Sequence, residues 1–190
     1  QQPDLERNPY ATLKQEEEAL LAREATTRMA VVFRVYAASG RFMTRPEKFA
    51  LGNFILQALQ VELVQVKAAH EVWRSYVSVE QLMLLSWKLL RSSDESVRPG
   101  FRCLDACGPT LELSELAETV ALALGTRLAS RTISSASRDY YVGDGERFRT
   151  LLRFHGIEPS SLQEQVQETI AGLLAIPSQQ PAAHEHQSSC

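Results

Sequence analysis

From Phe49 onward the chain repeats in alternating steps of three and four: Phe49, Gly52, Leu56, Leu59, Leu63, Val66, His70, Trp73. That spacing is the seam of an amphipathic helix about three and a half heptads long. Asn53, Gln57, Gln60, Lys67, Glu71 and Arg74 lie mostly off the seam. Thr44-Arg45-Pro46-Glu47 supplies the start: a hydroxyl cap, Glu47 three residues on, and Pro46 in the first turn, where its missing N–H costs nothing. Gly52 costs roughly 1 kcal/mol relative to Ala inside a helix, and it lets another backbone come close. Tyr76 and Val77 interrupt the run, and Ser78 with Gln81 repeats the capping pattern. The following Val79–Leu90 stretch is apolar nearly all round, which predicts burial on several sides. It falls short of the roughly 20 apolar residues that a bilayer span requires.

The flanks read as further helices. One begins near Tyr10, carries Gln15, Glu16, Glu17, Glu18 and Glu24, and continues through the apolar residues Met29–Tyr36. Val31, Val32, Phe33 and Val35 also suit a strand, but the neighbouring Ala and Glu residues favour helix. Arg34 in this run either snorkels outward or pairs with a carboxylate. After a loop with a Pro99-Gly100 turn, Phe101–Ala106 is a short strand or a helical turn. Leu113, Ala117, Val120, Leu124 and Leu128 form one face of a helix from about Leu111 to Arg131. Residues 132–145 read as a polar loop, followed by short helices at Glu146–Phe154 and after Pro159-Ser160-Ser161.

The expected architecture is all-α, an irregular bundle of about five to six helices. A flexible 1–9 precedes a single helical domain at 10–176, and a Gln-, Ser-, Pro- and His-rich tail follows at 177–190. At 190 residues, 44% hydrophobic and net charge −3, the chain can bury a core without staples and projects no strong field. An odd cysteine count of 3 suits a reducing compartment. A first residue that is Gln rather than Met reads as a processed product or fragment. With no signal peptide or spanning segment, an intracellular location, cytoplasmic or nuclear, is expected.

No catalytic, cofactor or metal site emerges. Cys103 and Cys107 stand alone as a C-x3-C pair with no nearby His, short of the four ligands of a zinc site. His184, His186 and Cys190 sit in the tail. His70 lacks a second group to make it a general base. Gly143-Asp144-Gly145 precedes a helix, but no strand leads into it, and neither the P-loop nor the G-x-G-x-x-G pattern is present.

Two functional readings follow. The first is a non-enzymatic helical interaction or assembly protein, possibly self-associating. It would work through Phe49, Leu56, Leu59, Leu63, Val66, His70, Trp73 and Trp87, with a protein partner or a second copy as occupant. The alternative is a coat or packaging protein for single-stranded RNA. It would use Arg127, Arg131, Arg138, Tyr140, Tyr141, Arg147, Arg149 and Arg153, since arginine binds phosphate and aromatic rings stack on bases. Neither reading involves a membrane, a cofactor or an enzymatic reaction.

Overall fold

The computed structural model describes residues 9–91 and 99–175. It overturns the all-helical expectation. Among the described residues, six α-helices alternate with eight strands, most of them paired in parallel.

Helix α1 (Pro9–Glu24) leads through a short turn into strand β1 (Met29–Val35). The apolar run expected to be helix is therefore a strand. It pairs in parallel with β5 (Gly100–Ala106) at every position from Met29↔Gly100 to Val35↔Ala106. A parallel strand covered on both faces loses its period-2 signature and shows a continuous apolar run, which periodicity cannot separate from helix. Phe33 meets Phe148 edge-on, ring centroids 6.0 Å apart. Its neighbour Arg34 points to the opposite face, toward α1, as strand alternation requires.

Tyr36 alone separates β1 from β2 (Ala37–Ser39). The long seam then breaks in two. Helix α2 runs only from Ala50 to Val61, because Glu62 turns left-handed (φ 54°, ψ 26°). The Gln65 amide donates to the Gln57 side chain at 2.8 Å, tying the returning chain to the helix. The close approach expected at Gly52 is real, but its partner is local: a Cβ there would lie 2.5 Å from the Pro46 carbonyl oxygen. Leu63–Val64 becomes strand β3, and Glu71–Ser78 becomes β4.

Strand β4 is the hub of the second sheet. β6 (Thr110–Glu112) runs antiparallel along one edge, and β2 lies along the other. β8 (Arg138–Tyr141), inside the segment expected to be loop, pairs in parallel with Glu71–Arg74. β7 (Arg127–Leu128) pairs with β3. The helix expected over Leu111–Arg131 is only α4 (Leu113–Leu124). Gly125 stops it at φ 64°, with its N–H on the Ala121 and Leu122 carbonyls.

Three helices match their sequence signals. α3 (Val79–Arg91) is capped by Ser78, whose hydroxyl accepts from the Gln81 amide. α5 (Glu146–Phe154) is followed by the left-handed Gly156. α6 (Leu162–Ala175) begins with a capping box: Ser161 accepts from the Glu164 amide at 3.2 Å, and Glu164 accepts from the Ser161 amide at 2.7 Å.

Two cores result. Leu51, Phe54, Ile55, Val64, Tyr76, Leu116, Val120 and Val166 pack α2, α4 and α6 against β4. Val77, Leu85, Leu89, Ala106, Phe148 and Leu152 pack α3 and α5 against the β1–β5 pair. Among the described residues, no helix is long and apolar enough to cross a membrane. Of the expected tails, 1–9 and 177–190, residue Pro9 opens α1, and the rest lies outside the described residues, as do residue 176, positions 92–98 of the expected loop, and His184, His186 and Cys190.

Candidate active site at the strand ends

β1 and β5 end level with each other, Val35 opposite Ala106. In open α/β folds, ligands bind beyond the carboxyl ends of such strands. What stands there is set by α1, which runs back along the sheet. Glu18 on α1 receives Arg34 through both carboxylate oxygens, Nε at 2.8 Å and Nη2 at 2.5 Å. Asp105, the register partner of Arg34 on β5, lies 3.9 Å from the same guanidinium. The Arg34 hydrogen bond holds the Glu18 carboxyl below its ordinary range, against a smaller opposing effect of burial.

Glu18 is therefore level with the end of β1. Tyr10 and Lys14 precede it by eight and four residues on the same side of the helix. At 1.5 Å per residue they lie about 6 Å (Lys14) and about 12 Å (Tyr10) further along the helix, beyond the strand ends. The Lys14 ammonium sits 5.6 Å from the centre of the Tyr10 ring. Glu17 pairs with Lys14 at 2.8 Å and raises its pKa. The Tyr10 ring is exposed.

Tyr36 and Asp105 form the floor. Burial first, and then the charge and hydrogen bond of Asp105, push the Tyr36 phenol up to about 12. Its ring lies 5.2 Å from that of Tyr141. Asp105 also accepts from the Asp144 amide at 3.1 Å, which fastens the 143–145 turn to the end of β5. The Cys107 thiol donates to the Gly143 carbonyl at 3.4 Å, and burial pushes its pKa up. Cys103 is half-buried beside Arg34 and Glu18, and burial raises its thiol as well. Among the described residues no group of three or more His, Cys, Asp or Glu is placed to hold a metal ion.

The residues expected to bind RNA are divided among several jobs. Arg131 is a buried clamp: Nη1 on Glu112 at 2.9 Å, Nε on the Ala68 carbonyl at 2.9 Å, and Nη2 on the His70 carbonyl. Burial opposes ionisation of Glu112, but the Val72 and Ser114 amides and Arg131 outweigh it and hold the carboxyl at about 2. Arg138 pairs with Glu71 at 2.9 Å, Arg149 with Glu146 at 2.8 Å, and Arg153 approaches Glu158 at 3.8 Å. Arg127 and Arg147 are exposed on β7 and α5. Tyr140 stacks on Trp73, centroids 5.9 Å apart and planes at 9°, as a cross-strand pair. Tyr141 is half-exposed toward Tyr36.

The expected helical interface is also dispersed. Phe49, Leu56 and Leu59 belong to the start and body of α2, while Leu63, Val66, His70 and Trp73 lie on strands and the connection between them. Val66 is buried, His70 contributes its carbonyl to Arg131, and Trp87 is exposed on α3. Sequence reasoning misses Tyr10, Lys14, Tyr36 and Asp105. The available signal is the i, i+4, i+8 stripe Tyr10-Lys14-Glu18, which by itself reads only as part of an acidic helix start.

No family model and no curated protein matches the chain. Solved structures do. MoeE5 in complex with UDP-glucuronic acid and NAD is similar at TM-score 0.60 and 17% identity, over 88% of this chain and 56% of that one. UDP-glucose 4-epimerase of Thermus thermophilus, complexed with NAD, gives 0.59 and 16%, over 90% and 55%. dTDP-glucose 4,6-dehydratase of Bacillus anthracis, with NAD, gives 0.61 and 14%, over 88% and 52%. The chain shares their fold along most of its own length and spans about half of theirs. This likeness and the parallel strands remove the architecture on which the non-enzymatic assembly reading rested. The RNA-coat alternative falls with it, because most of its arginines are engaged by acids within the molecule.

NAD needs a glycine turn between strand and helix, open to a pyrophosphate. The described residues do not provide one. Gly143 and Gly145 precede α5, but a Cβ at Gly143 would lie 2.3 Å from the Tyr36 ring, and one at Gly145 would lie 2.0 Å from the Cys107 carbonyl oxygen. Protein fills both spaces, and Asp144 between them repels phosphate. A dinucleotide's pyrophosphate does not fit these residues.

Proposed function

We propose that this chain is the substrate-side portion of an enzyme that modifies nucleotide-linked sugars. Tyr10 exchanges a proton with a sugar hydroxyl. Lys14 is its positioning residue, since a cation beside a phenol stabilises the negative charge left when the proton departs. Tyr36, Asp105 and Tyr141 line the floor on which the sugar rests. The observation that supports this reading is the Tyr10-Lys14-Glu18 stripe, fixed by the Glu18–Arg34 pair so that its reactive end overhangs two parallel strand ends. The nucleotide sugars named in the similar structures supply the substrate class. An intracellular setting belongs to the same proposal, and the free thiols Cys103 and Cys107 are consistent with it.

The test is nuclear magnetic resonance titration of the full chain with UDP-glucose and dTDP-glucose into the millimolar range. Shifts are expected at Tyr10, Lys14, Tyr36 and Tyr141, and the Tyr10→Phe variant should weaken them. A spectrum that stays unchanged at these residues with both sugars overturns the reading.

A further inference from the structure

The charges around the floor cancel in pairs until two carboxylates are left over. Lys14 is held by Glu17 at 2.8 Å, Arg34 by both oxygens of Glu18, Arg74 by Asp139 at 2.6 Å, and Arg149 by Glu146 at 2.8 Å. Each of these cations has its own acid. Asp105 has a distant share of one, 3.9 Å from the guanidinium that Glu18 already grips. Among the described residues, no cation forms an ion pair with Asp144. The two carboxylates are neighbours, since the Asp144 amide donates to Asp105. Arg102, the other charge on β5, alternates to the opposite face of the strand.

Two aromatic rings stand beside this surplus. Tyr36 and Tyr141 lie 5.2 Å apart with their planes at 58°, so they form an angled notch and not a closed stack. Tyr141 is half-exposed, which leaves the notch open to solvent. Ring and carboxylate are seated on one turn: a Cβ at Gly143 would lie 2.3 Å from the Tyr36 ring and 2.9 Å from the Asp105 Cβ. The Tyr36 phenol stays protonated to about pH 12 and donates to Asp105, so its ring is a neutral π face. An aromatic face attracts a cation through its quadrupole, and a carboxylate attracts it through its charge. Acceptors and π faces with every nearby cation already engaged suit an ammonium group.

We infer that the notch between Tyr36 and Tyr141 takes an ammonium group, so that the sugar is an amino sugar with a free amine. A hydroxyl in the same place finds acceptors but no charge attraction. The carboxylate of a uronic acid meets Asp105 and Asp144 as like charges. The assignment to a sugar rests on the function proposed above; the surplus charge and the aromatic notch do not.

The test compares ligands that share a nucleotide and differ at the sugar, so that the charge of the diphosphate cancels. The full chain is titrated by nuclear magnetic resonance with UDP-glucosamine, UDP-glucose and UDP-glucuronic acid, and with the 4-amino-4-deoxy analogue of dTDP-glucose beside dTDP-glucose. At least one amine should bind about tenfold more tightly than its parent, with shifts centred on Tyr36 and Tyr141, and glucuronic acid should bind most weakly. The preference should shrink between about 0.05 M and about 0.5 M salt, and Asp105→Asn should erase it. Amines that bind no more tightly than their parents, or glucuronic acid that binds as well as glucose, overturn the inference. So does a preference that survives in a folded Asp105→Asn variant. The salt series needs no variant, and a preference indifferent to salt overturns the inference as well. Glucosamine and glucose without a nucleotide separate the two claims. Shifts at Tyr36 and Tyr141 with glucosamine alone, and none with any nucleotide sugar, would fail the functional reading alone; nucleotide sugars that bind at the floor without regard to charge would fail this inference alone.

Discussion

Glu18 grips Arg34 with both oxygens, so a residue in the middle of α1 is locked to the penultimate residue of the strand that follows it. The pair is half-exposed, and replacing Arg34 with Ala should cost under about 1 kcal/mol in urea unfolding. Its larger effect should be positional, with the amides of residues 10–17 exchanging faster. Because the folded-state pKa of Glu18 is lowered, its contribution is present above the ordinary glutamate pKa and is lost as pH falls through the lowered value.

Arg131 and Glu112 make the buried counterpart. Arg131→Ala strands the carboxylate under β4 and should cost about 3 kcal/mol, read as a lower urea midpoint. Glu112 titrates near 2 when folded against an ordinary 4.5. Stability from this group is therefore complete above about pH 5 and drains away toward pH 2. Unfolding curves at pH 7 and pH 3 should differ in the wild type, and should differ less in the variant.

Two phenols should ionise late. Burial drives Tyr36 and Tyr76 to about 12. A raised phenol pKa favours the fold below the ordinary value near 10, and that support is lost as pH climbs toward 12. Ultraviolet titration should show two of the five tyrosines ionising only near pH 12. Tyr36→Phe should remove one of the late pair and leave the other.

Gly172 in α6 lies against the chain at Arg41. A Cβ there would sit 2.2 Å from the Arg41 carbonyl oxygen, an overlap with backbone that no rotamer relieves. Gly172→Ala gains about 1 kcal/mol of helix propensity but incurs overpacking of about 1–3 kcal/mol or more. The net result should be a lower melting temperature, measured by circular dichroism.

The parts of the fold legible in the sequence are those with chemical end-marks. Ser78, Gly156 and Ser161 announce the ends of α3, α5 and α6 because caps and glycine stops are local. The strands escape for the opposite reason. Val31-Val32-Phe33 is apolar on both sides, and its partner Cys103 lies some 70 residues away in sequence, so nothing nearby distinguishes it from a buried helix. The seam breaks at Glu62, a left-handed turn made by a residue whose type gives no warning. The stripe Tyr10-Lys14-Glu18 is visible as spacing, but its meaning depends on where α1 ends relative to β1. That relation is tertiary, and the acids around Glu17 offer a simpler account of the same helix.

Tyr36 is the entire connection between β1 and β2, and β2 is laced to β4, the strand that sends Tyr76 into one core and Val77 into the other. A single-residue joint leaves no slack. Whatever turns that ring tugs on both cores at once, so a molecule settling on the floor between Tyr36 and Tyr141 would be weighed by the whole chain rather than by a loop.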